Sequence, residues 1–173
     1  ILTKFASGYF HIMDPQMGYT ALNVNILEKI NIKSLIKRYG YPGQLLFLLN
    51  MADAKVIDVE VTPHYDIEKS GIRLFTFVPK LMFLLTKLFV QRVYKKLLKE
   101  KMSPAGISYI FSFGMFLVFI ALLIRTLNYY FSVGYIPGLT FMAFSTSLIL
   151  FFIFFFFGIM FDYQDNQKLH SDI

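Results

Sequence analysis

Two polar stretches hold the side chains whose types could do chemistry. The first is HIMDPQMGYT (His11 to Thr20) and the second is HYDIEKSGIR (His64 to Arg73). Lys69 and Arg73 suit an anion, Arg as a planar fork and Lys as a point charge. Ser70, Tyr19 and Thr20 can donate hydrogen bonds to the same group, while His11, Asp14, Gln16, Gln44 and Glu68 would shape the site around it. A plainer reading makes Asp14–Pro15 a turn with Gly18 as its left-handed residue, and Glu68–Lys69 a solvated pair. His11 and His64 lack metal-ligand spacing, and HExxH, GxGxxG and P-loop patterns are missing, so no metal is assigned. Spacing by itself does not make this chain an enzyme.

The elements that must position these residues are short. Leu22, Ile26, Leu27 and Ile30 share one helical face, and Thr20 stands where an N-cap would. Pro42–Gly43 reads as a break, Gln44 to Met51 as a second helix, and VIDVEV (Val56 to Val61) as a half-buried strand with Asp58 and Glu60 on one face. Helix, helix, strand predicts the C-terminal part of an α/β domain over residues 1–72. Residues 73–101 then place Phe77, Leu81, Leu84, Leu85 and Leu88 at helical spacing among Lys80, Lys87, Arg92, Lys95 and Lys96. That pattern fits a solvated helix packing one face on the soluble part; because it runs straight into a membrane span, the expectation is an amphipathic interfacial helix, its apolar face in the acyl boundary and its cations toward anionic headgroups.

Beyond it lie two uncharged runs, Ile107 to Ile124 and Leu139 to Phe161. About 20 apolar residues at 1.5 Å each cross a hydrocarbon core of about 30 Å, and neither run has the polar stripe of a soluble helix. A transmembrane hairpin is expected over 102–161, followed by a polar tail, 162–173. The net charge of +6 is concentrated before the first run, whereas the loop Thr126 to Gly138 is uncharged and carries Tyr129, Tyr130 and Tyr135. The positive-inside rule then puts both termini in the cytoplasm, in a multi-pass protein of the cytoplasmic (inner) membrane. Anionic lipid is the partner this charge implies, rather than nucleic acid. A homo-oligomer is left open. The 173 residues contain no cysteine, which excludes disulfides and thiolate metal sites. The chain opens on Ile1 with no signal-peptide pattern, and the front of a longer protein is expected upstream.

The stretch SGYFHIMDPQMGYT (Ser7 to Thr20), then Arg38–Tyr39–Gly40–Tyr41, then AKVIDV (Ala54 to Val59), then YDIEKS (Tyr65 to Ser70), occur in that order ahead of the apolar pair. Together they resemble the family 2 glycosyltransferases, inverting GT-A enzymes that include dolichyl-phosphate mannose synthase-like proteins. The resemblance implies the C-terminal part of a GT-A domain, in which a sugar passes from a nucleotide-sugar donor to a polyprenyl phosphate. It also implies a donor-binding half with an Asp-x-Asp site for Mg or Mn, which this sequence does not contain, so the chain alone is expected to be inactive. Where the family tends to have a carboxylate, the chain reads Pro42–Gly43–Gln44, and an amide is no general base. A phosphate monoester is largely ionised near neutral pH, its second pKa being about 6, so a phosphate acceptor needs positioning more than deprotonation. The alternatives are a non-catalytic, membrane-anchored subunit for lipid-phosphate binding or assembly, and a small structural membrane protein.

Overall fold

In a computed structural model the described residues are 1–37, 40–61, 74–100 and 102–170. Arg38, Tyr39, residues 62–73, Lys101 and residues 171–173 lie outside them, and with these the expectations for Glu68, Lys69, Ser70 and Arg73. Among the described residues six α-helices follow one another: α1 (Leu2–Ser7), α2 (Val24–Leu27), α3 (Tyr41–Met51), α4 (Leu74–Arg92), α5 (Pro104–Val133) and α6 (Gly138–Gln167). A 3-10 turn (Ile32–Ser34) precedes α3, and a π-helical stretch (Val93–Glu100) continues α4. The chain divides into two units, Ile1–Lys96 with Tyr163–Ile173, and Leu97–Asp162.

The α/β expectation is overturned. Among the described residues no strand forms, and the one β-bridge is an isolated parallel pairing of Val56 with His170. VIDVEV alternates as a strand should, but a strand needs a neighbour to take its backbone groups and one side chain face. Here Ile57, Val59 and Val61 are exposed, and so are Asp58 and Glu60, so neither face is covered. The first helix is also shorter than its pattern suggested. Asn23, not Thr20, is the cap, its side chain accepting from the Asn25 amide at 2.9 Å, and α2 ends after one turn. Asn and β-branched residues are weak helix formers, and they fill this segment. Ile30 nonetheless is buried, with Leu22 and Ile26 packed against the same core.

Helix α3 organises the first unit. It starts at Tyr41, so Pro42–Gly43 lies in its first turn rather than breaking the chain; Pro is tolerated there because its missing N–H has no intrahelical partner anyway. Leu45, Leu46 and Leu49 join Tyr9, Ile12, Ala54 and Leu169 in one cluster, while Phe47 joins Ala6, Leu85 and Leu88 in another. Apolar residues on both sides of α3 are therefore used, and α4 covers the second cluster with its leucine face. That face was expected in lipid. It is protein interior instead, and Arg92 and Lys96, expected at the headgroups, are fully and nearly fully buried.

In the second unit α5 and α6 are each 30 residues long and apolar enough to cross a membrane. Ser103 caps α5, its Oγ accepting from the Gly106 amide at 3.2 Å, with Pro104 next in the first turn. The helix runs past Arg125 to Val133, so the connection is Gly134 to Pro137, shorter than the expected loop from Thr126. Helix α6 likewise continues to Gln167, absorbing half of the supposed polar tail. The pair is joined by rings and small residues. Phe111 stacks on Phe154 (5.4 Å between centroids), Phe119 on Phe144 (4.9 Å), and the Ser112 hydroxyl donates to the Phe151 carbonyl at 3.3 Å. At Gly158 the Tyr109 ring comes so close that a Cβ would stand 2.7 Å from it. Close approach at small residues supplies the van der Waals packing that associates apolar helices in lipid.

Candidate functional site

Helix α1 ends at Gly8, whose backbone is left-handed (φ 79°, ψ 0°). Arg92 reaches this end from α4, its Nε and Nη2 donating to the carbonyls of Ala6 (3.2 Å) and Phe5 (2.8 Å). A cation at the last carbonyls of a helix meets both their hydrogen-bonding need and the dipole. After the turn, residues 9–13 pass beside residues 54–58 with contacts at a constant offset of 45 residues. The Tyr9 hydroxyl donates to the Ala54 carbonyl at 2.6 Å, the His11 Nε2 pairs with the Val56 carbonyl at 2.8 Å, and the Met13 amide donates to Asp58. Burial first, and then the Asp53 carboxylate, hold the Tyr9 phenol protonated well above its ordinary range.

Beside this seam a cleft of about 340 Å³ is lined by Gly8, Phe10, His11, Tyr163, Asn166, Gln167 and His170. The imidazoles of His11 and His170 meet at 4.5 Å and the rings of Phe10 and Tyr163 at 5.7 Å, both edge to face. Its floor is fixed from behind. Asn50 donates to the Asn166 Oδ1 at 2.7 Å, Lys96 donates to both the carbonyl and the side chain of Asn50, and Lys96 pairs with Asp53 at 2.9 Å. With Nε2–H given to Val56, a neutral His11 keeps Nδ1 as its acceptor. The lining offers ring faces, amides and imidazoles, and no Lys or Arg among the described residues. Such a surface offers ring faces and neutral hydrogen-bonding points.

Of the described residues singled out in the sequence, His11 alone lines the cleft. Asp14 makes a local turn, accepting from the Gln16 amide at 3.1 Å, and the Gln16 side chain donates to the Thr3 hydroxyl at 2.9 Å. Gln44 is occupied at both ends: its Oε1 accepts from the Ile36 amide (2.8 Å) and its Nε2 donates to the Ser34 carbonyl (3.0 Å). A carboxylate could accept the first bond but could not donate the second, so the amide is matched to closing this loop. Tyr19 and Thr20 are exposed and take no part in the cleft. Lys80, Lys87 and Lys95 are exposed on their helix, unlike Arg92 and Lys96. Sequence reasoning missed Gly8, Phe10, Asn50, Tyr163, Asn166, Gln167 and His170. One signal was present: Asp162, Asn166 and Leu169 fall at helical spacing, with no Gly or Pro from Ile159 to the end. Among the described residues no three His, Asp or Glu side chains gather as a metal site would require. No protein-family model matches the chain, and neither a curated protein nor a solved structure matches it.

Proposed function

We propose that this chain is the acceptor-side, membrane-anchored part of an inverting glycosyltransferase that passes a sugar from a nucleotide-sugar donor to a polyprenyl phosphate. The supporting observation is the seam just described. The first and third motif stretches of the resemblance, 45 residues apart, run side by side in register through Tyr9, His11 and Met13. Gln44, neutral and occupied, fits an acceptor that arrives already ionised. The acceptor phosphate falls to Lys69, Ser70 and Arg73, with Tyr19 and Thr20 as further donors, and the uncharged cleft by His11 suits a sugar or isoprenoid group. The donor and its Mg or Mn belong to a nucleotide-binding half supplied elsewhere. Both termini face the cytoplasm, and α5 and α6 cross the cytoplasmic membrane.

The test is binding of the purified chain, in detergent, to polyprenyl phosphate against the matching polyprenol by native mass spectrometry. Preferential retention of the phosphate, lost in Lys69→Ala with Arg73→Ala, is the expected result. Equal retention of phosphate and alcohol would remove the acceptor assignment. Phosphate binding without sugar transfer, even in membranes that contain a donor-binding half, would leave the non-catalytic subunit as the better reading.

A further inference from the structure

Helix α4 has a second apolar face that no described residue of its unit covers. At about 100° per residue, Leu81, Leu84, Leu85, Leu88 and Arg92 fall in one sector and are buried or half-buried, as are Phe77, Phe89 and Gln91 at or near its borders. Phe75, Met82, Phe83 and Val90 fall outside that sector, around the exposed Pro79 and Thr86, and are themselves exposed, Phe75 at 96%, Phe83 at 76% and Val90 at 57%. Along one border of this exposed face stand Lys80 and Lys87, two turns apart and both exposed. Tyr94 (62% exposed) and Lys95 continue the same side into the π-helical stretch. A solvated helix face would alternate charges with polar residues. Here large apolar side chains surround Pro79 and the uncharged Thr86, and the cations keep to one edge.

We infer that this outer face of α4 lies in a lipid surface, with Phe75, Met82, Phe83 and Val90 among the acyl chains and Lys80 and Lys87 against anionic headgroups. Two observations choose lipid over another occupant. The flanking charge has one sign, complementary to an anionic leaflet, and long lysine stems let the ammonium groups stay in the headgroup layer while the rings sink. The same chain, a short link later, enters α5, which is itself apolar enough to cross a membrane. The unit's inner leucine face is left to hold α1 and α3. The inference is independent of the sugar-transfer reading and survives its failure.

The chain has no cysteine, so single cysteines report without background. Met82→Cys and Val90→Cys on the outer face, and Asn25→Cys in exposed α2 as reference, are labelled with bimane in the full chain. Each is placed in nanodiscs of phosphatidylcholine alone or mixed with phosphatidylglycerol. Brominated lipid should quench positions 82 and 90 and spare 25, while aqueous iodide does the reverse. Quenching by brominated lipid should be stronger in the anionic discs, and Lys80→Glu with Lys87→Glu should bring it down to the neutral-disc level. Iodide reaching 82 and 90 as readily as 25 overturns the inference. Protection of both positions from both quenchers also overturns it, in favour of a protein cover such as a second copy. Lipid quenching that ignores disc charge and the lysine reversals refutes the headgroup role of the lysines.

Discussion

Gly8 and Gly134 share one backbone conformation, φ 79° and φ 78°, in very different surroundings, and the pair turns a glycine substitution into a measurement. An alanine in the left-handed region costs about 1–2 kcal/mol. At Gly134 that is the whole expected cost, since a Cβ there meets nothing within 4 Å. At Gly8 the new Cβ would stand 2.7 Å from the Arg92 Nη1 and 2.8 Å from the Asn50 Nδ2. Both are side chain tips, which ordinarily swing aside. Neither is free to do so: Arg92 is bonded to Phe5 and Ala6, and Asn50 to Asn166 and Lys96. Overpacking a site of that kind costs about 1–3 kcal/mol more, so Gly8→Ala should lose about 2–5 kcal/mol against about 1–2 for Gly134→Ala. With two units in the chain a single unfolding midpoint is ill-defined, and local stability is the right readout. Hydrogen exchange by mass spectrometry gives it, from peptides covering α3 for Gly8→Ala and the end of α5 for Gly134→Ala. Each 1.4 kcal/mol is about a tenfold faster exchange. Equal losses in the two variants would mean that Arg92 and Asn50 yield without cost, and the buried network would not be the rigid floor described.

Tyr9 should make the first unit alkali-sensitive. Its phenol is held protonated in the folded state and titrates near its ordinary value of about 10 when unfolded, so its contribution is complete below about pH 10 and falls as pH rises through the folded pKa. Tyr9→Phe should flatten that part of the pH profile of α3 exchange, and an unchanged profile would contradict the assignment. Lys96→Met strips donors from Asn50, at about 1–3 kcal/mol for each acceptor left unpaired. Asp53→Asn, at a half-exposed position, should lose no more than about 1 kcal/mol; a larger loss at Asp53 than at Lys96 in the same exchange assay would invert the picture. Gly158→Val drives a side chain into the Tyr109 ring and should cost α5–α6 packing about 1–3 kcal/mol, read as a lower aggregation temperature in detergent, with Gly114→Val, where a Cβ meets nothing within 4 Å, as the control.

What was legible in the sequence follows the range of the signal. Two long uncharged runs announce helices α5 and α6 because length and hydropathy are local properties, and both helices form, though longer than their apolar cores. Helix α3 was legible for the same reason, its start displaced by three residues because Pro42 reads as a stop from outside and as a first-turn residue from inside. The strand at 56–61 was not. Alternation states what a segment would do beside a partner strand, and among the described residues the partners are side chains of Tyr9 and His11 and the end of the chain at His170. Among the described residues the cleft was legible only at His11: Gly8 and Phe10 beside it carry no chemistry of their own, and Tyr163, Asn166, Gln167 and His170 come from a segment more than 150 residues away that composition alone marks as a solvated tail.

Helix α4 carries the same lesson to the charges. Over residues 73–101, periodicity finds a leucine stripe and many cations, and it cannot tell a stripe that meets lipid from one that meets protein. Burial separates them. Arg92 and Lys96, one helical turn apart, point inward, where Arg92 caps α1 and Lys96 gathers Asn50 and Asp53. A cation taken from water costs several kcal/mol unless its hydrogen bonds are replaced, and both find carbonyl or carboxylate partners. Lys80 and Lys87, on the other side, need no such partners because they keep their water. The net charge of this chain is therefore not one electrostatic signal but two. One part holds a polar interior together, and the other borders an apolar face that no described residue covers.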